Sequence, residues 1–239
     1  MLSGDHRSKL GGMKHVLPLF ALLTLTACTT GPGYDRLRLK PAANPSAVIA
    51  SELAFAQLAQ AKGQWTAFRA TATGDAVMFV PARVSAQAWL KSRADPSVAV
   101  KWQPHVVWSS CDGSYAATIG DWDSGNARGT FVTVWQRQGE RRGAKPVYKW
   151  VLDMSVTNDN AVPMPDSVTA KVADCTAPAL REPPPSFASG HDTAQAYASD
   201  QTLRWTSSVR PDRSRTIRVE SWTGTGYQPV IELDGRDVE

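Results

Sequence analysis

Several signatures of well-known chemistry are missing from this 239-residue sequence. It has no Gly-rich loop of the kind that cradles phosphate and no nucleophile elbow of the hydrolase type. It also has no cluster of His, Cys and acidic residues at metal-ligand spacing. These absences predict that the protein uses no cofactor and holds no metal. Lys and Arg are not clustered, so the sequence predicts no nucleic-acid partner.

Long hydrophobic runs are also missing. The most apolar run, residues 16–27, has twelve residues, whereas a membrane-spanning helix needs about 20. It follows Lys14 and His15 and ends in Leu25-Thr26-Ala27-Cys28, an order typical of a lipoprotein signal peptide. We therefore expect cleavage after residue 27 and lipid, such as palmitate, on Cys28. The alternative, a short core helix that ends in a cysteine by chance, does not explain this order.

A lipid on Cys28 predicts a protein of the bacterial cell envelope, anchored to a membrane and facing the periplasm. Thr29, rather than an aspartate, follows the anchor, and this favours the outer membrane over the inner one. Removal of residues 1–27 takes away three basic side chains and one acidic side chain. Of the 26 basic and 22 acidic side chains, 23 and 21 remain, so the net charge falls to +2. The mature chain is therefore nearly neutral.

Cysteine is scarce, and its few positions are informative. With Cys28 lipidated, only Cys111 and Cys175 remain, in a compartment where disulfides persist. The sequence predicts a disulfide between them, which requires Cα atoms about 4.4–6.8 Å apart. Two free, buried thiols are the alternative.

The pattern of apolar residues divides the mature chain into four parts. Residues 28–44 are a polar tether, and residues 45–157 are an α+β domain in which helices cover one face of an antiparallel sheet. Residues 158–190 form a Pro-rich linker in which only residues 167–174 suggest a helix. Residues 191–239 form a small three-stranded β-meander, which is expected to dock on the main domain. The predicted helices are 46–62, 64–72 and 85–92, and the predicted main-domain strands are 101–109, 114–122, 129–138 and 147–156.

Several short motifs carry a family resemblance. They are Glu52 with Phe55, and the segments 65–69, 74–79, 110–114, 133–138 and 149–153. In their order and spacing, residues 51–155 resemble the nuclear transport factor 2-like (SnoaL-like) superfamily, in the branch described as domain of unknown function 4440. The resemblance implies a cone-like curved antiparallel sheet wrapped on the N-terminal helices, with an apolar cavity inside. Ketosteroid isomerases of that superfamily carry a carboxylate just before the proline that ends the first strand. Val80 stands there in this chain, so isomerase chemistry is not implied.

Two groups of residues are candidates for a site. Asp153 lies mid-strand between Leu152 and Met154, where a carboxylate is costly unless it is paired or solvated. It either lines the cavity or, as we favour, points outward or pairs with Arg137. The second group consists of aromatic side chains that would line a ligand cavity or simply form the core. They are Trp65, Phe68, Trp102, Trp108, Trp135 and Trp150.

Three functions fit these observations, and a module that binds a small apolar ligand in the cavity is favoured. The others are an envelope protein–protein interaction module and a cavity enzyme of hydro-lyase or isomerase type. Whether the chain is an enzyme stays open, with the balance against it, and a homodimer is compatible with the sequence. An open cavity with two or more convergent polar groups would favour the enzyme, and a dry open cavity would favour the binding module. A filled cavity with an exposed apolar patch would favour the interaction module.

Overall fold

The computed structural model describes residues 43–139, 145–158, 166–176, 179 and 192–236. The signal segment, Cys28 and nearly all of the tether lie outside the described residues. Within the described residues there are three helices and eleven strands. They are α1 (Pro45–Lys62), α2 (Gln64–Thr71), β1 (Ala72–Phe79), β2 (Arg83–Ser85), α3 (Ala86–Leu90), β3 (Lys101–Ser109), β4 (Tyr115–Asp123), β5 (Arg128–Gln138), β6 (Val147–Thr157), β7 (Thr169–Val172), β8 (Asp192–Tyr197), β9 (Leu203–Val209), β10 (Arg215–Trp222) and β11 (Tyr227–Gly235).

The two ends of helix α1 are set by Asn44 and Pro45 at its start and by Gly63 at its end. The Asn44 side chain accepts a hydrogen bond from the backbone N–H of Ala47 at 3.1 Å, and Pro45 occupies the first helical position. The helix ends at Gly63, which has φ 106° and donates its N–H to the carbonyl of Ala59. No helix of the described residues is long and apolar enough to cross a membrane.

A curved seven-stranded mixed sheet forms the centre of the fold, in the order β2-β1-β6-β5-β4-β3-β7. Strands β3 to β6 form an antiparallel meander, as the sequence predicts. The sheet is nevertheless mixed, because β1 runs parallel to β6 and β7 runs parallel to β3. The predicted α+β class is therefore correct, and the expectation of a purely antiparallel sheet is corrected by these two pairs.

Both faces of this sheet are covered. The helices pack on one face around a core that includes Phe55, Leu90 and Trp150. The second sheet, with strand order β11-β10-β9-β8, packs on the other face around a core that includes Leu152 and Ile217. The central strands therefore lie between two apolar layers.

The C-terminal half differs from expectation in two details. Residues predicted as the helix 167–174 instead form strand β7, which pairs with Val106 to Ser109 of β3. The meander has four strands rather than three, because β8 pairs with β9 along its whole length. Pairing between distant segments decides both, and such pairing leaves no local signal in the sequence.

Cys111 and Cys175 lie at disulfide distance, with their Cα atoms 5.6 Å apart. This separation falls inside the range that the predicted bond requires. The link ties the turn after β3 to the segment that follows β7, across 64 positions of sequence.

Candidate functional site

A partly open cavity of about 160 Å³ lies between the first two helices and the central strands of the seven-stranded sheet. Its wall combines five aromatic side chains with one aliphatic and three polar residues. The lining residues are Phe55, Gln64, Phe68, Val100, Trp102, Trp122, Phe131, Asp153 and Ser155. An apolar cavity of about 150 Å³ is large enough to bind benzene. The space therefore suits a ligand built on a single ring.

Edge-to-face contacts hold part of the aromatic wall in place. The Phe55 ring centroid lies 4.7 Å from that of Phe68 and 4.8 Å from that of Trp102. The rings of each pair are tilted by close to 70°. Since Phe55 comes from α1, Phe68 from α2 and Trp102 from β3, one cluster fixes three elements around the cavity.

Asp153 is the one ionisable side chain among the described residues that line the cavity. Its Oδ2 accepts a 2.8 Å hydrogen bond from the Thr133 hydroxyl, and no described residue donates to Oδ1. The pKa of Asp153 is raised to about 7. Burial is the largest cause, the Thr133 hydrogen bond opposes it, and the Glu52 carboxylate contributes to the rise. The group can therefore hold or release a proton near neutral pH.

Glu52 of α1 is fully buried behind the aromatic wall. Its Oε1 accepts from the Trp102 indole at 2.9 Å, and its Oε2 accepts from the Thr118 hydroxyl at 2.6 Å and the Trp135 indole at 3.0 Å. Burial raises the pKa of Glu52, although the three hydrogen bonds oppose this effect. The carboxyl group ties α1 to strands β3, β4 and β5 and places a second acid near Asp153.

The predicted aromatic candidates divide into three groups. Phe68 and Trp102 line the cavity. Trp135 and Trp150 are fully buried in the helix-side core, and Trp65 packs against Phe68 there, with ring centroids 5.5 Å apart. These three do not line the cavity, so for them the alternative of core packing holds.

Trp108 lies on the other face of the sheet, against the second core. The cause is a β-bulge between Pro104 and Val106, which adds one residue to β3 opposite β4. One extra residue exchanges the two faces of a strand beyond that point. Trp102 and Trp108 therefore lie on opposite faces of the sheet, and for Trp108 too the alternative of core packing holds. His105, at the bulge, is half-buried, and its Nε2 lies 3.7 Å from Oδ2 of Asp121.

The favoured interpretation of Asp153 is also corrected. Its side chain faces the cavity rather than solvent, and its partner is Thr133. The guanidinium of Arg137 instead donates to the carbonyl of Asp112 at 2.8 Å. The described part of the chain contains no group of three or more potential metal ligands.

Sequence reasoning did not single out Glu52, Trp122 or Phe131 as site residues. For Glu52 a signal existed, because it shares the helical stripe of Val48 and Phe55, four residues after one and three before the other. A carboxylate on a buried stripe requires partners, and one of the partners of Glu52, Trp102, lines the cavity. For the other two residues, alternation along the strand did not indicate which face borders the cavity.

The chain was also compared with known proteins. No family model matches it, and neither the curated proteins nor the solved structures gave a match. The assignment of function therefore depends on the geometry of the cavity.

Proposed function

We propose that this protein binds a small apolar molecule, of the size of a single ring, in the cavity beneath α1 and α2. The observation that carries the proposal is the cavity itself, which is open, of about 160 Å³ and lined by five aromatic side chains. Ligand pockets in proteins typically combine such apolar walls with a few polar groups that orient the ligand. Asp153 is suited to that orienting role.

We also propose that lipid on Cys28 anchors the binding domain at the periplasmic face of the bacterial envelope, on the outer membrane. The support is the order of charged, apolar and small residues before Cys28. The finer fold assignment, a nuclear transport factor 2-like cone, is a proposal as well. It is supported by the curved sheet, by helices packed on its face, and by a cavity between them.

A cavity enzyme is the second candidate function, because burial raises the pKa of Asp153 to about 7 and its Oδ1 has no donor among the described residues. A general base works best when its pKa lies near the working pH. Such an enzyme would exchange the acidic C–H of a small cyclic ketone with D2O, and Asp153→Asn would abolish the exchange. Proton NMR of the ketone measures this directly.

The interaction module has less support. The apolar face of the C-terminal meander, including Leu203, Ile217 and Leu233, packs on the seven-stranded sheet and is buried. These side chains are therefore not available to a partner.

The binding proposal is tested by native mass spectrometry of the full-length chain, which should show a co-purifying small molecule. The same measurement is made on Phe131→Trp, which enlarges a cavity-lining ring and should reduce the fraction of protein that carries the small molecule. As a control, Trp108→Phe changes an aromatic residue on the opposite face and should leave occupancy unchanged. Absence of bound mass, together with no response of indole NMR signals to single-ring compounds, would contradict the proposal.

A further inference from the structure

The cavity has an unbalanced set of polar groups. Asp153 lines it, Glu52 lies close enough behind the wall to raise the pKa of Asp153, and no Lys or Arg is among the lining residues. Buried carboxylates are normally paired with a cation or saturated with donors. Glu52 is saturated by three donors, but Asp153 has one. The open hydrogen-bonding position is therefore at Asp153, on the wall of the cavity.

The unmet atom is Oδ1 of Asp153. Thr133 donates to Oδ2, and none of the described residues donates to Oδ1. The next residue on the same face of β6 is Ser155, whose backbone carbonyl accepts a 3.2 Å hydrogen bond from Arg215 Nη2. A ligand that supplies a positively charged donor at Oδ1 would complete the site.

The aromatic wall favours the same ligand charge. The faces of Phe and Trp rings carry negative potential and attract cations, most strongly at desolvated sites. Five such rings line the same cavity as the carboxyl group. An anionic ligand would instead meet two acids, and repulsion of like charges disfavours it.

From these observations, and on the basis of the proposed binding function, we infer that the single-ring ligand is apolar except for one ammonium group. The ring lies among Phe55, Phe68 and Phe131, and the ammonium donates to Oδ1 of Asp153. The cavity volume limits the ligand to about one ring and a short substituent.

The test compares four single-ring probes on the full-length chain: benzylamine, benzyl alcohol, acetophenone and benzoate. Titration calorimetry at about pH 8 should show benzylammonium binding at least about tenfold more tightly than benzyl alcohol. At about pH 5.5, where Asp153 is protonated, this ratio should fall toward one. Glu52 is the other charged group whose field reaches Asp153, and Glu52→Gln should narrow the ratio without removing it.

In Asp153→Asn, benzylamine and benzyl alcohol should bind with equal affinity at both pH values. Asp123→Asn serves as the matched control, because Asp123 lies at the end of β4 outside the cavity lining.

Three outcomes overturn the inference. Equal affinities for benzylamine and benzyl alcohol at about pH 8 would end it, yet leave the proposed binding function standing. Tighter binding of acetophenone at the lower pH would mean that protonated Asp153 donates to a neutral ligand. Binding of no probe would contradict both the inference and the proposed function.

Discussion

Replacement of Asp153 by Asn should stabilise this protein above neutral pH. In the folded state the pKa of Asp153 is about 7, against an ordinary value of 3.8. Between pH 3.8 and about pH 7, the carboxyl group of Asp153 is protonated in the folded chain and ionised in the unfolded chain. Stability therefore falls as pH rises through this window, because the unfolded state binds fewer protons.

The magnitude follows from the width of the window. It covers about three pH units, each equivalent to about 1.4 kcal/mol, so ionisation of Asp153 costs the fold about 4 kcal/mol. Asn has the same shape, keeps an acceptor for the Thr133 hydroxyl and carries no charge. The free energy of unfolding of Asp153→Asn should exceed that of wild type by up to about 4 kcal/mol at about pH 8.5, and match it at about pH 4.

The assay is urea denaturation followed by tryptophan fluorescence at several pH values, with the difference between variant and wild type plotted against pH. Subtraction removes the contribution of all other titrating groups. Asp123→Asn is the control, and its stability difference from wild type should change with pH in the opposite direction. Hydrogen bonds lower the pKa of Asp123, so its carboxylate stabilises the fold above about pH 4. A difference for Asp153→Asn that does not change with pH would refute the reasoning.

The other predictions concern different parts of the molecule. Glu52→Ala should lower the free energy of unfolding by about 3–5 kcal/mol, because three donors lose their acceptor. Glu52→Gln should lower it by only about 1 kcal/mol, because the Gln amide can donate to Thr118. Equal urea midpoints for these two variants would contradict this role of Glu52. Cys111→Ser should lower stability by about 4 kcal/mol, because the bond to Cys175 closes a loop of 64 positions. If the variant and the oxidised wild type have equal thermal midpoints, or thiol titration finds two free thiols in exported protein, the bond is not formed. Cys28→Ala should abolish incorporation of labelled palmitate and leave unprocessed precursor, so labelled mutant protein would exclude lipidation at Cys28.

Local features of the sequence predicted much of the helical and strand structure. Asn44-Pro45 and Gly63 bound α1 because a side-chain cap, a fixed φ and a positive φ are properties of single residues. The bounds of β3 match the predicted 101–109, since alternation there is strong. The faces of β3 were not predictable to its end, because the bulge near Pro104 reverses them and depends on the pairing with β4.

Local sequence patterns did not predict how the helices and the two sheets are arranged in layers. The parallel pairing of β1 with β6 and of β7 with β3 joins segments far apart in sequence, and no residue pattern specifies it. For the same reason the polar face of β6, with Asp153 and Ser155, suggested solvent. On β6, alternation separates side chains of the second core, such as Met154, from Asp153 and Ser155, which line the partly open cavity.

Two energetic costs coincide at one place in this fold. The cavity leaves its aromatic walls without full packing contacts, and Asp153 carries a carboxyl group whose ionisation destabilises the protein at neutral pH. A larger apolar side chain at position 153 would remove both costs at once. Departures from optimal packing and from complete pairing are concentrated at functional sites, where a ligand compensates them when it binds. The coincidence of an open aromatic cavity with an incompletely paired acid is therefore the strongest structural argument that this cavity is the site where the protein acts.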